Sequence, residues 1–515
     1  MSMPRMLISS FALTALLLGC KGPAPETATT DTSSTTATTT ATTSSATTTP
    51  ATTTFPFIPP VQISGTIPTT VPFPSNAPPN ATSEQARPFF DWFSWESFIA
   101  LNWPAGTGRG NPDQPNNPSV FTSMTNTTPV TWGTYKANWE LFDQYDKRPT
   151  VWNDYSSPYA PALCPQAKQT DKQLLMVTKG DTELQDVNQA FSFPLVDQSS
   201  NYVYFEVHYN QPQYEWIRGT DGNQASWLYL MKNLPPCTKQ PCTGVALPPN
   251  PQNPGDSIMI KAAWRSLGGT SNSSGLQDKL RQRYYTVNAW VYNSQTQQCS
   301  QQLMGLVGFH IAQKTKDFPE WIWSTFEQVD NVPPKVDNVP SSFNNGTDNP
   351  STGTQGFANR PTYTAPGQLP PTPTPTQVTR LNPIPTTPPG ASTVDVNNAF
   401  HAALPKNSIW QYYQLVITQW PANPTQFKAP ANRGVYPQDC GGAFPVNGAV
   451  NTTLETYFQN AQLATGAGGN SCMSCHFNAG TGLRDFSWGL ARRPHQDAPP
   501  PSNSKMKATT QQATK

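Results

Sequence analysis

The chain has 515 residues, more than one ordinary domain of ~100–200 residues accommodates, so two folded parts joined by linkers are expected. Charged residues are only 12%, and 32 Lys+Arg against 31 Asp+Glu leave a net charge of +1, too little field to gather phosphates, which excludes nucleic-acid binding as the main role. Fifteen Trp, 17 Tyr and 24 Phe exclude global disorder, and no apolar run reaches the ~18–20 residues of a membrane-spanning helix, which excludes a polytopic membrane protein.

Residues 1–19 read as an export signal, with Arg5 ahead of the apolar run Met6–Gly19. The run ends in Leu17-Leu18-Gly19-Cys20, which resembles the bacterial lipobox; the resemblance implies cleavage before Cys20 and lipidation of its thiol. Lys21 in place of Asp after that Cys implies, by the same resemblance, the outer membrane of a Gram-negative cell. The membrane is then reached through the lipid anchor only. Residues 20–82 are dominated by Thr, Ser, Ala and Pro, too little apolar surface to offset chain entropy, and are expected to form a disordered tether.

Order is expected over residues 83–338. Phe89–Leu101 places apolar residues at i, i+3 and i+4 and stops before Pro104, which predicts a packed helix, and Tyr135–Tyr145 is a second helical candidate. From residue 170 onward come short runs rich in Tyr, Trp, Val and Ile, bounded by Gly, Pro, Asn and Asp. Tyr202–Val207, Ser257–Trp264, Arg283–Tyr292, Leu303–Ala312 and Trp321–Val329 therefore read as strands of an antiparallel sheet or sandwich. Residues 339–391, Pro- and Thr-rich, read as an extended connector over the surface. Residues 392–493 form a last folded segment with helical candidates at Val394–Ala403 and Thr452–Ala464, and 494–515 a frayed tail. The expected class is α+β: a strand-rich domain plus a small, mainly helical segment.

The chemistry concentrates in Cys472-Met473-Ser474-Cys475-His476. C-x-x-C-H is the attachment pattern of c-type haem: two thiols three positions apart form thioethers with the two vinyl groups of one porphyrin, and the adjacent imidazole becomes the proximal iron ligand. With eight Cys and five His in the chain, chance supplies such a match in about one chain per thousand. Competing readings are a zinc site completed by Cys440 or His495, a thioredoxin-like pair, and a plain Cys472–Cys475 disulfide. The loop Gly466–Ser471 ahead of the motif disfavours the thioredoxin reading, which needs a strand there. One motif means one covalent haem c and one iron. The only downstream Met is Met506, between Lys505 and Lys507 in the polar tail, which speaks against simple His/Met ligation. Candidates for the sixth ligand are His401, His495, His310, His208 and Met506, beside an open position.

Several further stretches stand out: Ser94–Pro104, Ile260–Arg265, Gly308–Ile311 with Lys314-Thr315, Trp321–Glu327, Asn451–Tyr457 and Asp485-Phe486-Ser487. Together with the haem motif they make residues 85–490 resemble a family of exported bacterial single-haem cytochrome c proteins. That resemblance implies haem binding through Cys472, Cys475 and His476, and electron transfer; it supplies no sixth ligand. The expected role is a lipid-anchored carrier of single electrons in the cell envelope, working with a redox partner protein there. One alternative is an enzyme with an open distal iron and His310, Lys314, Arg265 or Glu327 as acid/base helpers; another is a surface binding module with structural haem. Against the enzyme stands the reading of those four side chains as ordinary salt-bridge partners. If 306–314 is a strand, Leu306, Gly308, His310, Ala312 and Lys314 share one face. Cys237 and Cys242 are expected to pair as a loop staple, while Cys164, Cys299 and Cys440 leave one thiol over.

Overall fold

The computed structural model describes residues 55–75, 77, 81–142, 149–156, 164–167, 173–174, 193–219, 247–249, 254–269, 281–293, 298–332, 340–346, 358, 373–421, 443–445, 448–459, 471–477, 485–487 and 490. The export signal, Cys20, the tail, Cys237, Cys242, Cys440, His495 and Met506 lie outside them.

One nine-stranded sheet organises these residues. Its strands are β1 (Lys136–Ala137), β2 (Gln173–Leu174), β3 (Tyr204–Tyr209), β4 (Ser257–Gly269), β5 (Thr286–Asn293), β6 (Gln298–Lys314), β7 (Ile322–Gln328), β8 (Tyr413–Pro421) and β9 (Ala443–Phe444). The main path runs β1-β3-β4-β6-β7-β8-β9 and every pairing on it is antiparallel; β2 joins β5 in parallel. At 17 residues β6 is long enough to take two partners in succession on one edge, β5 along its first half and β7 along its second. The five strands expected between 170 and 333 are β3 to β7, and they form one sheet, not a two-sheet sandwich.

Alternation along β6 is interrupted where Ala263 pairs with Gly308 but Trp264 pairs with Leu306. The extra residue, Val307, makes a bulge, and a bulge reverses which side the following residues face. Leu306 consequently packs with Trp264 and Phe309, on the side opposite His310. The shared face expected for Leu306 and His310 is thus corrected, because strict period-2 reading does not survive an inserted residue.

The longest helix, α1 (Ser83–Leu101), lies across one face of the sheet. It starts six residues before Phe89, at a capping box in which Thr82 and Gln85 bond each other's backbone N–H. Ser94 Oγ sits 2.7 Å from Ser324 Oγ and 2.8 Å from Thr418 Oγ1, pinning the helix over β7 and β8. Phe98 stacks on Phe326, with ring centroids 4.3 Å apart, and meets Phe309 and Trp410 edge-on. The short helix α2 (Pro118–Thr122) stacks Phe121 on Trp103, α3 (Asn138–Phe142) and α4 (Gln211–Arg218) contact β1, β3 and β4, and α5 (Thr393–Ala403) packs beside α1, with Phe400 stacked on Trp95.

Two expected boundaries move. The stretch assigned to a tether as far as residue 82 becomes part of the body at Phe55. There Thr and Ser give way to Phe55, Phe57, Ile58, Val61, Ile63, Ile67 and Val71, all packed on the core. The connector 339–391 is likewise built in over its described residues: Phe343 and Val378 are fully buried, and the Thr376 N–H bonds Val196 O at 3.0 Å. Residues 413–421 form β8, hydrogen-bonded to β7, so the final segment shares the sheet and core of the strand-rich part. Cys164 and Cys299 form a disulfide across 135 residues. No helix of the described residues is long and apolar enough to cross a membrane.

Candidate functional site

The Cys-x-x-Cys-His residues form α6 (Cys472–Phe477), a helix of only six residues. Too short to persist alone, it is held from outside, on the sheet face opposite α1. The Met473 N–H donates to Gln419 Oε1 of β8 at 2.7 Å, the Cys472 thiol lies 3.4 Å from Ala449 O, and the Cys475 N–H closes the turn on Ser471 O at 3.1 Å. Cys472 also packs on the Val416–Ile417–Ala449 cluster. Val416 and Ile417 are adjacent yet point the same way, because the β7–β8 register shifts between Thr325 and Phe326.

Cys472 and Cys475 are three positions apart on one helical turn and thus neighbours on its surface. Neither is in a disulfide, so the Cys472–Cys475 bridge weighed from sequence is absent. Burial, then the Glu455 carboxylate and Cys475, push the Cys472 thiol well above its ordinary range. A neutral thiol of this kind is the opposite of the thiolate that a redox pair or a nucleophile requires. Among the described residues no group of three or more His, Cys, Asp or Glu side chains is arranged to hold a metal ion.

His476 is gripped on two sides. Its ring lies 4.3 Å, centroid to centroid, from that of Trp323 on β7, and Nδ1 is 2.7 Å from the Phe486 carbonyl. A carbonyl only accepts, so Nδ1 carries a proton, and in the neutral ring Nε2 then carries the lone pair. The Phe486 carbonyl belongs to a turn in which Asp485 and Phe486 both take positive φ, 48° and 60°. Asp485 Oδ2 is 2.6 Å from Lys314 Nζ at the end of β6 and accepts from the Leu247 N–H at 2.6 Å.

The other candidates divide cleanly. His310, Lys314 and Glu327 lie on the α6 face, where His310 pairs with Lys261, Lys314 with Ser257 and Glu327 with Gly308. His310 Nε2 is 3.2 Å from Glu455 Oε2; burial raises the Glu455 carboxyl, but His310, Lys261 and the Asn451 N–H together hold it below its usual range. Glu327 accepts from Thr452 Oγ1 at 2.8 Å and pairs with Arg380, and Arg265 pairs with Asp197 at 3.0 Å. Lys314, Arg265 and Glu327 therefore hold ion-pair partners, and His310 lies beside the Glu455 carboxylate, all from buried or half-buried positions and not from the surface. His401 lies with α5 on the α1 side, Nε2 donating to Tyr413 O at 2.7 Å, and burial lowers its pKa. His208 spends both ring nitrogens, on Tyr135 O at 3.1 Å and Glu206 at 2.9 Å. Of the described sixth-ligand candidates, only His310 shares a face with His476.

Sequence reading missed Trp323 and Gln419 as supports of the motif, and the Phe486 carbonyl as partner of His476. Trp321–Glu327 and Asp485-Phe486-Ser487 were conspicuous stretches with no role attached; Gln419 gave no signal. The chain matches no known protein-family model, no characterised protein and no solved structure.

Proposed function

We propose that the α6 turn carries one covalent haem c and that the protein is a lipid-anchored, single-haem cytochrome of the bacterial cell envelope. The carrying observation is the Nδ1–Phe486 carbonyl bond, which leaves His476 in the tautomer whose Nε2 can ligate iron; metal-ligating histidines characteristically donate their other N–H in this way. The donor set fits the group: two thiols outside any disulfide on one turn and an oriented imidazole directly after them. Cys472 and Cys475 would supply the thioether sulfurs and His476 the proximal ligand. When bound, haem supplies a one-electron ferrous/ferric couple.

The chain's own residues prepare this site. Trp323 and Phe486 fix the plane and protonation of the imidazole, while Gln419 and Ala449 fix the turn bearing the thiols. The ion pairs of Lys314, Arg265 and Glu327 favour an electron carrier over acid/base catalysis, since these side chains are already committed. The Cys164–Cys299 disulfide fits an oxidising compartment, consistent with the export signal and lipobox. A redox partner protein in the envelope would complete the function.

The test is expression in a host with the full haem-attachment machinery. The exported protein is expected to show one haem by pyridine haemochrome and a one-haem mass increment, both lost in the Cys472→Ser/Cys475→Ser double variant. A bare polypeptide mass for the unaltered protein defeats the proposal. A low-spin spectrum indifferent to cyanide and carbon monoxide is the carrier's signature; ready binding of either ligand would instead mark the enzyme.

A further inference from the structure

Lys314-Thr315 and Asp485-Phe486-Ser487, two stretches whose roles the sequence leaves unassigned, meet behind the imidazole of His476. Lys314 Nζ is 2.6 Å from Asp485 Oδ2 and 2.8 Å from Leu247 O, and both charged side chains are almost completely buried, at 1% and 0% exposure. Asp485 is held further by the Leu247 N–H at 2.6 Å and lies 3.5 Å from Trp321 Nε1. The next residue, Phe486, presents the carbonyl that accepts the hydrogen bond from His476 Nδ1–H. Both Asp485 and Phe486 sit in the left-handed region, where a side chain with a Cβ is strained and persists only if its surroundings impose it. A buried ion pair is a poor stabiliser compared with apolar side chains of the same volume, so its presence here points to orientation and not to stability.

We propose that the Lys314–Asp485 pair is a positioning clamp: it imposes the 485–486 turn, and through the Phe486 carbonyl it locks His476 as the Nδ1-protonated tautomer. The inference takes its purpose from the haem reading, but its geometry does not depend on it. Neither Lys314 nor Asp485 touches the iron-binding nitrogen; they act through the carbonyl. In the haem-loaded protein a firm acceptor on Nδ1–H makes the imidazole a stronger electron donor, which favours ferric iron and lowers the reduction potential.

The experiment uses the full-length matured protein labelled with 15N-histidine, alongside Asp485→Asn and Lys314→Met; folding of each is confirmed by near-UV circular dichroism. In the ferrous, diamagnetic state the unaltered protein is expected to show a protonated His476 Nδ1 with slow proton exchange. Both variants should accelerate that exchange about tenfold, the equilibrium worth of one hydrogen bond, and raise the midpoint potential. Asp485→Asn is nearly isosteric and carries the test should Lys314→Met fail to fold. The clamp is overturned if the unaltered protein lacks the Nδ1 proton, or if folded variants keep both its exchange rate and the original potential. A colourless protein whose spectrum still shows the Nδ1 proton, lost in the variants, would remove the haem reading and leave the clamp standing. A haem-loaded protein with unchanged variants would do the reverse.

Discussion

The two faces of the sheet are held by different physics. Toward α1 the contacts are mainly aromatic area and hydroxyls, with the buried Asp91 carboxyl among them: Phe98 on Phe326, Trp95 on Phe400, and Ser94 between Ser324 and Thr418. Toward α6 they are directional and charged. Lys314 reaches Asp485, Glu327 holds Thr452 and Arg380, and Asn451 Nδ2 donates to Thr325 Oγ1 at 2.9 Å. The difference follows from what each face carries. A 19-residue helix satisfies its own backbone and needs chiefly an apolar seat, whereas a six-residue turn and the irregular strip 448–459 cannot, so their polar groups pair with the sheet, with nearby loops and with one another. Area tolerates small shifts; directional bonds do not, and an imidazole held in one orientation needs the second kind of support.

The largest effect should come from the area-built face. Phe98 is fully buried among Phe309, Phe326, Trp410 and Tyr413. Phe98→Ala is expected to cost about 3–5 kcal/mol, through lost burial and the cavity left behind. Urea unfolding followed by tryptophan fluorescence measures it. A loss below ~1 kcal/mol would mean that the face can collapse around the gap, and that the seat of α1 is far looser than its ring geometry.

Legibility in the sequence follows the same division. The area-built face announces itself by periodicity: Trp95, Phe98, Ile99 and Leu101 in α1, and the β-branched and aromatic runs of β3 to β7, are visible without any partner. The start of α1 was hidden by Pro88, which reads as a boundary although Thr82-x-x-Gln85 is an intact capping box that opens seven residues upstream of Phe89. Strand β8 escaped because Tyr413–Pro421 carries few turn signals and alternates imperfectly around its bulge. On the other face the Cys472-x-x-Cys475-His476 motif stood out in the sequence, but the side chains that hold it did not. Lys314 and Asp485 are 171 positions apart, and no local pattern joins them.

Acidity should act through the α1 face. Asp91 on that helix is completely buried, and desolvation pushes its carboxyl up to about 6, only partly offset by Arg87 and by the Thr393 and Thr418 hydroxyls. Its folded pKa thus exceeds the unfolded value near 3.8, so the folded state holds the proton longer. Stability is expected to be greatest below pH ~4 as far as this group is concerned, to fall as pH rises from ~4 to ~6, and then to level off, with a total loss on the order of 3 kcal/mol. Glu96, pushed up to about 7 by burial, slopes the same way. Asp91→Asn should remove the Asp91 share of this slope in urea midpoints taken at pH 4.5 and 7.5, leaving the share of Glu96. An unchanged slope would place the pH dependence elsewhere, on carboxylates other than Asp91.

The smallest effect should be confined to the directional face. Gly308 on β6 lies directly beneath Thr453 and Leu454; a Cβ there would run into Thr453 Oγ1 and come within 3.3 Å of Leu454 Cδ1. Thr453 cannot give way freely, because its hydroxyl bonds Asn451 Oδ1 at 2.7 Å and its N–H bonds the same atom at 2.8 Å. Gly308→Ala should therefore cost about 1–3 kcal/mol by overpacking. It should also lift the 451–457 strip, whose Glu455 N–H bonds Asn451 O at 2.9 Å. Hydrogen exchange separates the two faces: the amides of Thr453, Leu454 and Glu455 should exchange faster in the variant while those of α1 keep their protection. Faster exchange in α1 as well would show that the faces unfold as one unit, and that the charged pins stabilise the whole sheet and not only the strip they touch.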